Sequence, residues 1–139
     1  MKQIELDSLY MDFAFRVAKS SYSKRKKVGC VIVKNNNIIS YSWNGTPNGE
    51  DNCCEDSASI TKESVIHAEN NAIIKLAKST ESSVGSTIYT TLSPCDKCAG
   101  MLIQAEISRI VYCDEYKNLN GIVMLSNPKH CILVEKFKR

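Results

Sequence analysis

TLSPCDKCAG, residues 91–100, holds the only Cys-x-x-Cys of the chain, at Cys95 and Cys98. The run that leads into it, STIYTTL (86–92), is rich in β-branched and aromatic residues and reads as a strand. Pro94 then opens a helix expected to reach about Ala105, since proline is well tolerated in a first turn. Taken alone, the cysteine pair suits a redox disulfide, half of a structural zinc site, or two of three ligands at a catalytic zinc. The choice depends on what the rest of the sequence supplies.

Upstream, Val65 to about Lys78 has helical spacing, with Ala68, Ala72, Ile73, Leu76 and Ala77 on the inward side. Residues 5–21 place Leu6, Leu9, Tyr10, Phe13, Val17 and Ala18 on one face, with Asp7 or Ser8 as the N-terminal cap. VGCVIVK (28–34) and IISYSW (38–43), joined by asparagines, read as a hairpin. Residues 44–64 are polar and rich in turn formers, and a loop of that length is functional or mobile. Downstream come a strand at 109–113, a short helix at 119–126 and a last strand at 131–137. After the hairpin, strands alternate with helices. That order predicts one α/β domain over 1–139, a three-layer α/β/α sandwich around a central mixed sheet of about five strands.

The composition sets bounds. With 43% apolar and 24% charged residues, the chain resembles ordinary globular proteins rather than disordered ones. No apolar run approaches the roughly 20 residues of a membrane helix, and the acidic start MKQIELDSLYMDF is unlike a signal peptide. A cytoplasmic location is expected. A net charge of +3 suits an anionic small molecule and does not argue for a stable nucleic-acid complex. The seven cysteines are an odd number, and Cys30 and Cys131 sit in apolar runs as small buried hydrophobes, so no disulfide framework is expected.

Only two histidines can complete a metal site. His130 follows Pro128-Lys129 near the C-terminus, whereas His67 stands at a helix start, two residues before Glu69. His67-Ala68-Glu69 at one helix start and Pro94-Cys95-Asp96-Lys97-Cys98 at another form the zinc-deaminase signature. Three protein ligands leave the fourth tetrahedral position for water, as catalytic zinc requires. Two thiolates already offset the metal's charge, so water there needs help from a base, and Glu69 is that base. A structural knuckle with Cys53, Cys54 or Cys113 as fourth ligand leaves Glu69 unexplained, and a redox role explains neither His67 nor Glu69.

Nearly end to end, the chain resembles the cytidine/deoxycytidylate deaminase superfamily, and within it the deoxycytidylate deaminases, including those of bacteriophages. Three stretches carry the finer likeness: VGCVIVKNNNIISYSWNGTPNG (28–49), DNCCE (51–55) and TLSPCDKCAGMLIQAEISRIVYCDEY (91–116). The resemblance implies the cytidine deaminase-like fold and hydrolysis of dCMP to dUMP and ammonia, supplying dUMP for thymidylate synthesis. It implies one Zn²⁺ per chain and a substrate pocket that includes Asn44 on the sugar, Gly45, Thr46, Ala68 and Ser93, with Tyr116 closing near the phosphate. It further implies a homo-oligomer, a hexamer being favoured, regulated by dCTP and dTTP. Ser42-Trp43 and Asn70 depart from the family's usual residues, which alters local pocket shape. The run SKRKK (23–27) reads as a solvated turn, with contact to a phosphate as the alternative, and Asp96 and Lys97, between the ligands, as residues that back the metal ligands or lie on the surface. The rivals are a tRNA adenosine deaminase or another nucleobase deaminase of the same fold, and a non-catalytic zinc-stabilised interaction module.

Overall fold

Two asparagines make the first strand pairing possible. In the computed structural model, which describes residues 1–139, Asn35 and Asn36 both take positive φ, 51° and 60°. That is the tight turn whose twist suits a hairpin, and asparagine tolerates it better than other side chains. It joins β1 (Gly29–Lys34) to β2 (Asn37–Trp43), which pair antiparallel. β1 also pairs antiparallel with β3 (Thr87–Leu92), and from there β4 (Arg109–Asp114) and β5 (Leu133–Lys136) continue in parallel. The result is the expected mixed five-stranded sheet, and its strand order is β2-β1-β3-β4-β5.

Alternation along the strands feeds two cores. Cys30, Ile32, Ile88 and Ile110 face α2 (Ala68–Leu76), α3 (Asp96–Gln104) and α4 (Asn120–Leu125) through Ala68, Ala72, Leu76, Ala99, Leu102 and Leu125. Val31, Val33, Tyr89 and Val111 face α1 (Gln3–Ala18) through Tyr10, Met11 and Ala14. The three-layer arrangement follows directly from this period-2 split. Gly29 is required where α1 crosses β1, because a Cβ there would lie 2.6 Å from the Ala18 amide nitrogen. None of the helices is long and apolar enough to cross a membrane.

Several expected details change. The first helix begins at Gln3 rather than residue 5, capped at Lys2, whose N–H donates to Glu5 at 3.1 Å, and it ends at Ala18. Asp7 is therefore no cap. It is buried within the helix, while Leu9 and Phe13, expected inside, are exposed. The rotation follows from Arg109, which reaches α1 from β4. Its two terminal nitrogens meet the Asp7 carboxylate at 2.9 and 2.7 Å, and Tyr89 Oη donates to the same group at 2.7 Å. Arg109 Nε also donates to Glu135 on β5 at 2.6 Å, so one guanidinium ties α1 to three strands. Residues 65–67 are not helical, because Ile66 pairs with Gly45 in an extended bridge and α2 starts only at Ala68. At its other end Ala77 is exposed. Pro94 precedes the N-cap Cys95 rather than occupying the first turn of α3. Cys131 is exposed, not buried, in a left-handed turn (φ 55°) after a 3₁₀ turn at Pro128–His130 that shortens β5 to four residues.

The buried ion pair makes a quantitative expectation. Burial alone would raise the Asp7 pKa, but hydrogen bonds from Arg109, Tyr89 and Gln3 outweigh it and hold the group at about 2, below its ordinary 3.8. A carboxylate with a depressed folded-state pKa stabilises the fold fully above its unfolded pKa and loses that contribution as pH falls through the folded one. Asp7→Asn is expected to cost about 2 kcal/mol near neutrality, because it leaves the partly buried Arg109 guanidinium with Glu135 as its one remaining counter-charge. Urea titrations should give a wild-type–variant gap that is constant above the ordinary pKa of 3.8 and closes as pH falls toward 2.

Candidate metal centre and substrate cavity

Loops from four strands meet at one edge of the sheet. β3 and β4 end there, β2 ends there in Trp43-Asn44, and β1 begins there after the turn at 23–28. Ligand sites of open α/β sheets lie outside such strand ends. The cavity found here is about 420 Å³. Its floor is formed by His67, Ala68, Glu69 and Cys95, and its wall by Val28, Asn44, Leu92 and Ser93.

His67 and Cys95 are the N-caps of α2 and α3, both in extended conformation. His67 Nδ1 lies 3.5 Å from Cys95 Sγ and 3.3 Å from Cys98 Sγ, and the three donor atoms fall within 4.8 Å of one another. Zinc with bonds of about 2.1 Å to nitrogen and about 2.3 Å to sulfur, at tetrahedral angles, would separate N and S by roughly 3.6 Å. The triad therefore fits that metal in donor type and spacing. No other group of three or more His, Cys, Asp or Glu side chains converges in this way, so Cys53, Cys54 and Cys113 supply no fourth ligand.

The electrostatics of the triad suit a cation. The Cys98 thiol and then His67 hydrogen-bond Cys95 Sγ and lower its pKa to about 4 against the opposing effect of burial, so Cys95 is a thiolate. Sharing with Cys95 pushes Cys98 upward, and the Cys98 amide also donates to Cys95 Sγ at 3.5 Å. Both sulfurs lie at a helix start, where the backbone dipole favours negative charge. Glu69, 4% exposed, stands one residue into α2 beside this group. Burial pushes its carboxyl up to about 7, the range in which a group can both accept and return a proton near neutral pH.

The other expected residues divide into two sets. Asn44, Ala68, Ser93 and Tyr116 line the cavity with His67 and Cys95, while Cys98 is buried just behind its lining. The Asn44 side chain is already engaged: Oδ1 accepts from Val28 N and Nδ2 donates to Lys26 O, both at 2.9 Å. One lone pair and one N–H remain for a ligand. Ser93 Oγ accepts from the Tyr116 amide at 2.7 Å and so fixes the loop that carries Tyr116. Gly45 and Thr46 lie behind Asn44, outside the cavity lining, with Gly45 paired to Ile66. Asp96 and Lys97 are exposed, as expected.

The mouth of the cavity is cationic, which favours the phosphate-contact reading of SKRKK over the solvated turn and adds Lys117, which the sequence did not point to. Arg25, Lys26 and Lys117 line the cavity rather than forming a plain solvated turn. Lys26 pairs with Asp114 at 3.3 Å, and the neighbouring Glu115 is neutralised by Lys136 at 2.8 Å, which leaves Arg25 and Lys117 without ion-pair partners. The mouth is thus net positive and the floor acidic. The only sequence signal was the density of basic residues in SKRKK, which a surface turn shares.

Comparison with known proteins agrees with this geometry. The family model of the cytidine and deoxycytidylate deaminase zinc-binding region matches residues 4–114. The chain belongs to this family. It is 33% identical to the deoxycytidylate deaminase of Enterobacteria phage T4, over 82% of this chain and 81% of that one. The dCMP deaminase of cyanophage S-TIM5, crystallised with dCMP and dUMP, superposes with a TM-score of 0.93 at 42% identity, covering 99% of both chains. A structure from work on tRNA:A34 deaminases gives 0.66 at 25% identity, over 94% of this chain and 98% of that one.

The position of Cys95 depends on a glycine in α4. A Cβ on Gly121 would meet the Pro94 carbonyl oxygen and lie 2.7 Å from the carbonyl carbon of Cys95. Gly121→Ala should therefore shift the Pro94–Cys95 backbone and weaken Zn²⁺ retention at least tenfold in a chelator competition, about 1.4 kcal/mol. Gly100, with open space around its Cα, is the matched control, and Gly100→Ala should leave retention unchanged.

Proposed function

We propose that this deaminase hydrolyses dCMP to dUMP and ammonia, and that it does so with one zinc per chain held by His67, Cys95 and Cys98. The observation that carries this reading is a buried Glu69, its carboxyl raised by burial to about 7, beside a His-Cys-Cys triad at the bottom of a cavity whose mouth is cationic. Bound there, zinc supplies Lewis acidity that makes water a nucleophile near neutral pH. Glu69 accepts a proton from the attacking water as its oxygen bonds to C4 of the pyrimidine, and passes that proton to N3. A second proton from the water oxygen, carried by the same carboxylate, converts the 4-amino group into a leaving ammonia. The C4–N bond breaks and a carbonyl remains, so atoms balance without any redox partner.

The remaining residues bind and orient. Asn44 offers its free lone pair and N–H to the sugar, and Tyr116 closes over it, with Ala68 and Ser93 shaping the ring pocket. Gly45 and Thr46 act from behind, by fixing the end of β2 that carries Asn44. Arg25, Lys26 and Lys117 meet the 5′-phosphate, a dianion that a net positive rim attracts. Supply of dUMP, response to dCTP and dTTP, and assembly into a homo-hexamer belong to the same proposal and are supported by the family resemblance.

Ammonia release from dCMP, cytidine, dCTP and a tRNA anticodon stem, compared at equal concentration, tests the substrate. Turnover of dCMP is expected to dominate; dominant turnover of the RNA would overturn the reading. Glu69→Ala should retain zinc at one per chain while kcat falls by at least about a thousandfold. Near-wild-type turnover by that variant would remove Glu69 from the mechanism.

A further inference from the structure

Glu55 is 7% exposed and sits in a long loop, outside the lining of the cavity. One carboxylate oxygen, Oε2, accepts from Ser23 Oγ at 3.0 Å, from the Lys24 amide at 3.1 Å and from the Arg25 amide at 3.3 Å. The other, Oε1, is buried with no hydrogen-bond partner. Successive backbone N–H groups converging with a hydroxyl form an anion-binding nest, and here the anion belongs to the chain itself. A buried oxygen without a partner costs stability, so stability alone does not account for an acid at this position. What the carboxylate does achieve is to curl residues 23–25 into one shape.

The turn is held at both ends. Glu55 is fixed through its backbone bridge to Thr61, and Asn44 grips the far end of the turn at Lys26 O and Val28 N. Between these anchors the exposed side chains of Arg25 and Lys26 reach the cavity mouth. We propose that Glu55 is a positioning residue for phosphate-bearing substrates, its carboxylate filling the nest of Ser23, Lys24 and Arg25 so that Arg25 and Lys26 are presented to the phosphate. It acts through the turn and does not touch the reacting atoms. The inference rests on the dCMP reading, because a substrate without a phosphate would gain nothing from the presented cations.

The test separates phosphate recognition from folding. KM and kcat for dCMP are measured in wild type, Glu55→Ala and Glu55→Gln, together with inhibition constants for dUMP and for deoxyuridine, which differ only in the phosphate. In Glu55→Ala, KM for dCMP and the dUMP constant should each rise roughly tenfold, while kcat and the deoxyuridine constant stay within about twofold. Glu55→Gln keeps the shape and an acceptor oxygen but loses the charge, so it should fall between wild type and Glu55→Ala, and it stands in should the alanine variant fail to fold. Equal weakening of dUMP and deoxyuridine, unchanged binding of both, or a loss confined to kcat would each overturn the role of Glu55. A wild-type enzyme inert on dCMP would overturn the substrate reading and the proposal with it, a result distinct from the others.

Discussion

Two helices have to begin at the same edge of the sheet with their capping residues turned toward one another, and the rest of the molecule serves that requirement. N-caps are ordinarily Ser, Thr, Asp or Asn, whose side chains satisfy free backbone N–H groups. α2 and α3 are capped instead by His67 and Cys95, each with extended backbone, and their donor atoms end 3.5 Å apart. The extended entry to α2 is imposed by the pairing of Ile66 with Gly45, and the entry to α3 by the contact of Gly121 with the Pro94–Cys95 backbone. Behind the floor, Cys30 Sγ donates to the Ala68 carbonyl at 3.0 Å, which ties α2 to β1. The metal triad is thus a consequence of sheet order and two close backbone approaches.

Around that floor the charges are graded. Glu69 and the two sulfurs supply negative charge where a divalent cation would sit, and Arg25, Lys26 and Lys117 supply positive charge at the mouth. A nucleotide with its base inward and its phosphate outward matches both signs at once. A modest net charge suffices because placement matters more than the total: three cations, Arg25, Lys26 and Lys117, line the cavity where it opens.

How much of this was legible in the sequence depends on the range of each interaction. Strand alternation and helical spacing are local, so element order and the mixed sheet could be read directly, as could His67, Glu69, Cys95 and Cys98 from their motif spacing. Features set by distant partners were hidden. Asp7 looked like a cap because Arg109, 102 residues away, gives no local sign of being its counter-ion. Leu9 and Phe13 were placed inward by a spacing that the ion pair rotates outward, and Phe13 instead rests its ring edge on Tyr41. The run SKRKK looked like a solvated turn because its anionic anchor, Glu55, lies 30 residues downstream of Arg25 in a loop with no periodicity. Cys131 sits in an apolar run, but the 3₁₀ turn before it swings the residue to the surface.

The chemistry turns on whether His67, Cys95 and Cys98 alone hold the metal and leave one position for water beside Glu69. X-ray absorption at the zinc edge of the purified protein addresses this directly. The expected spectrum is that of one zinc per chain with two sulfur ligands at about 2.3 Å and two lighter ligands, one imidazole and one exchangeable oxygen. A spectrum with three or four sulfurs, or protein that binds no zinc in excess metal, would contradict it.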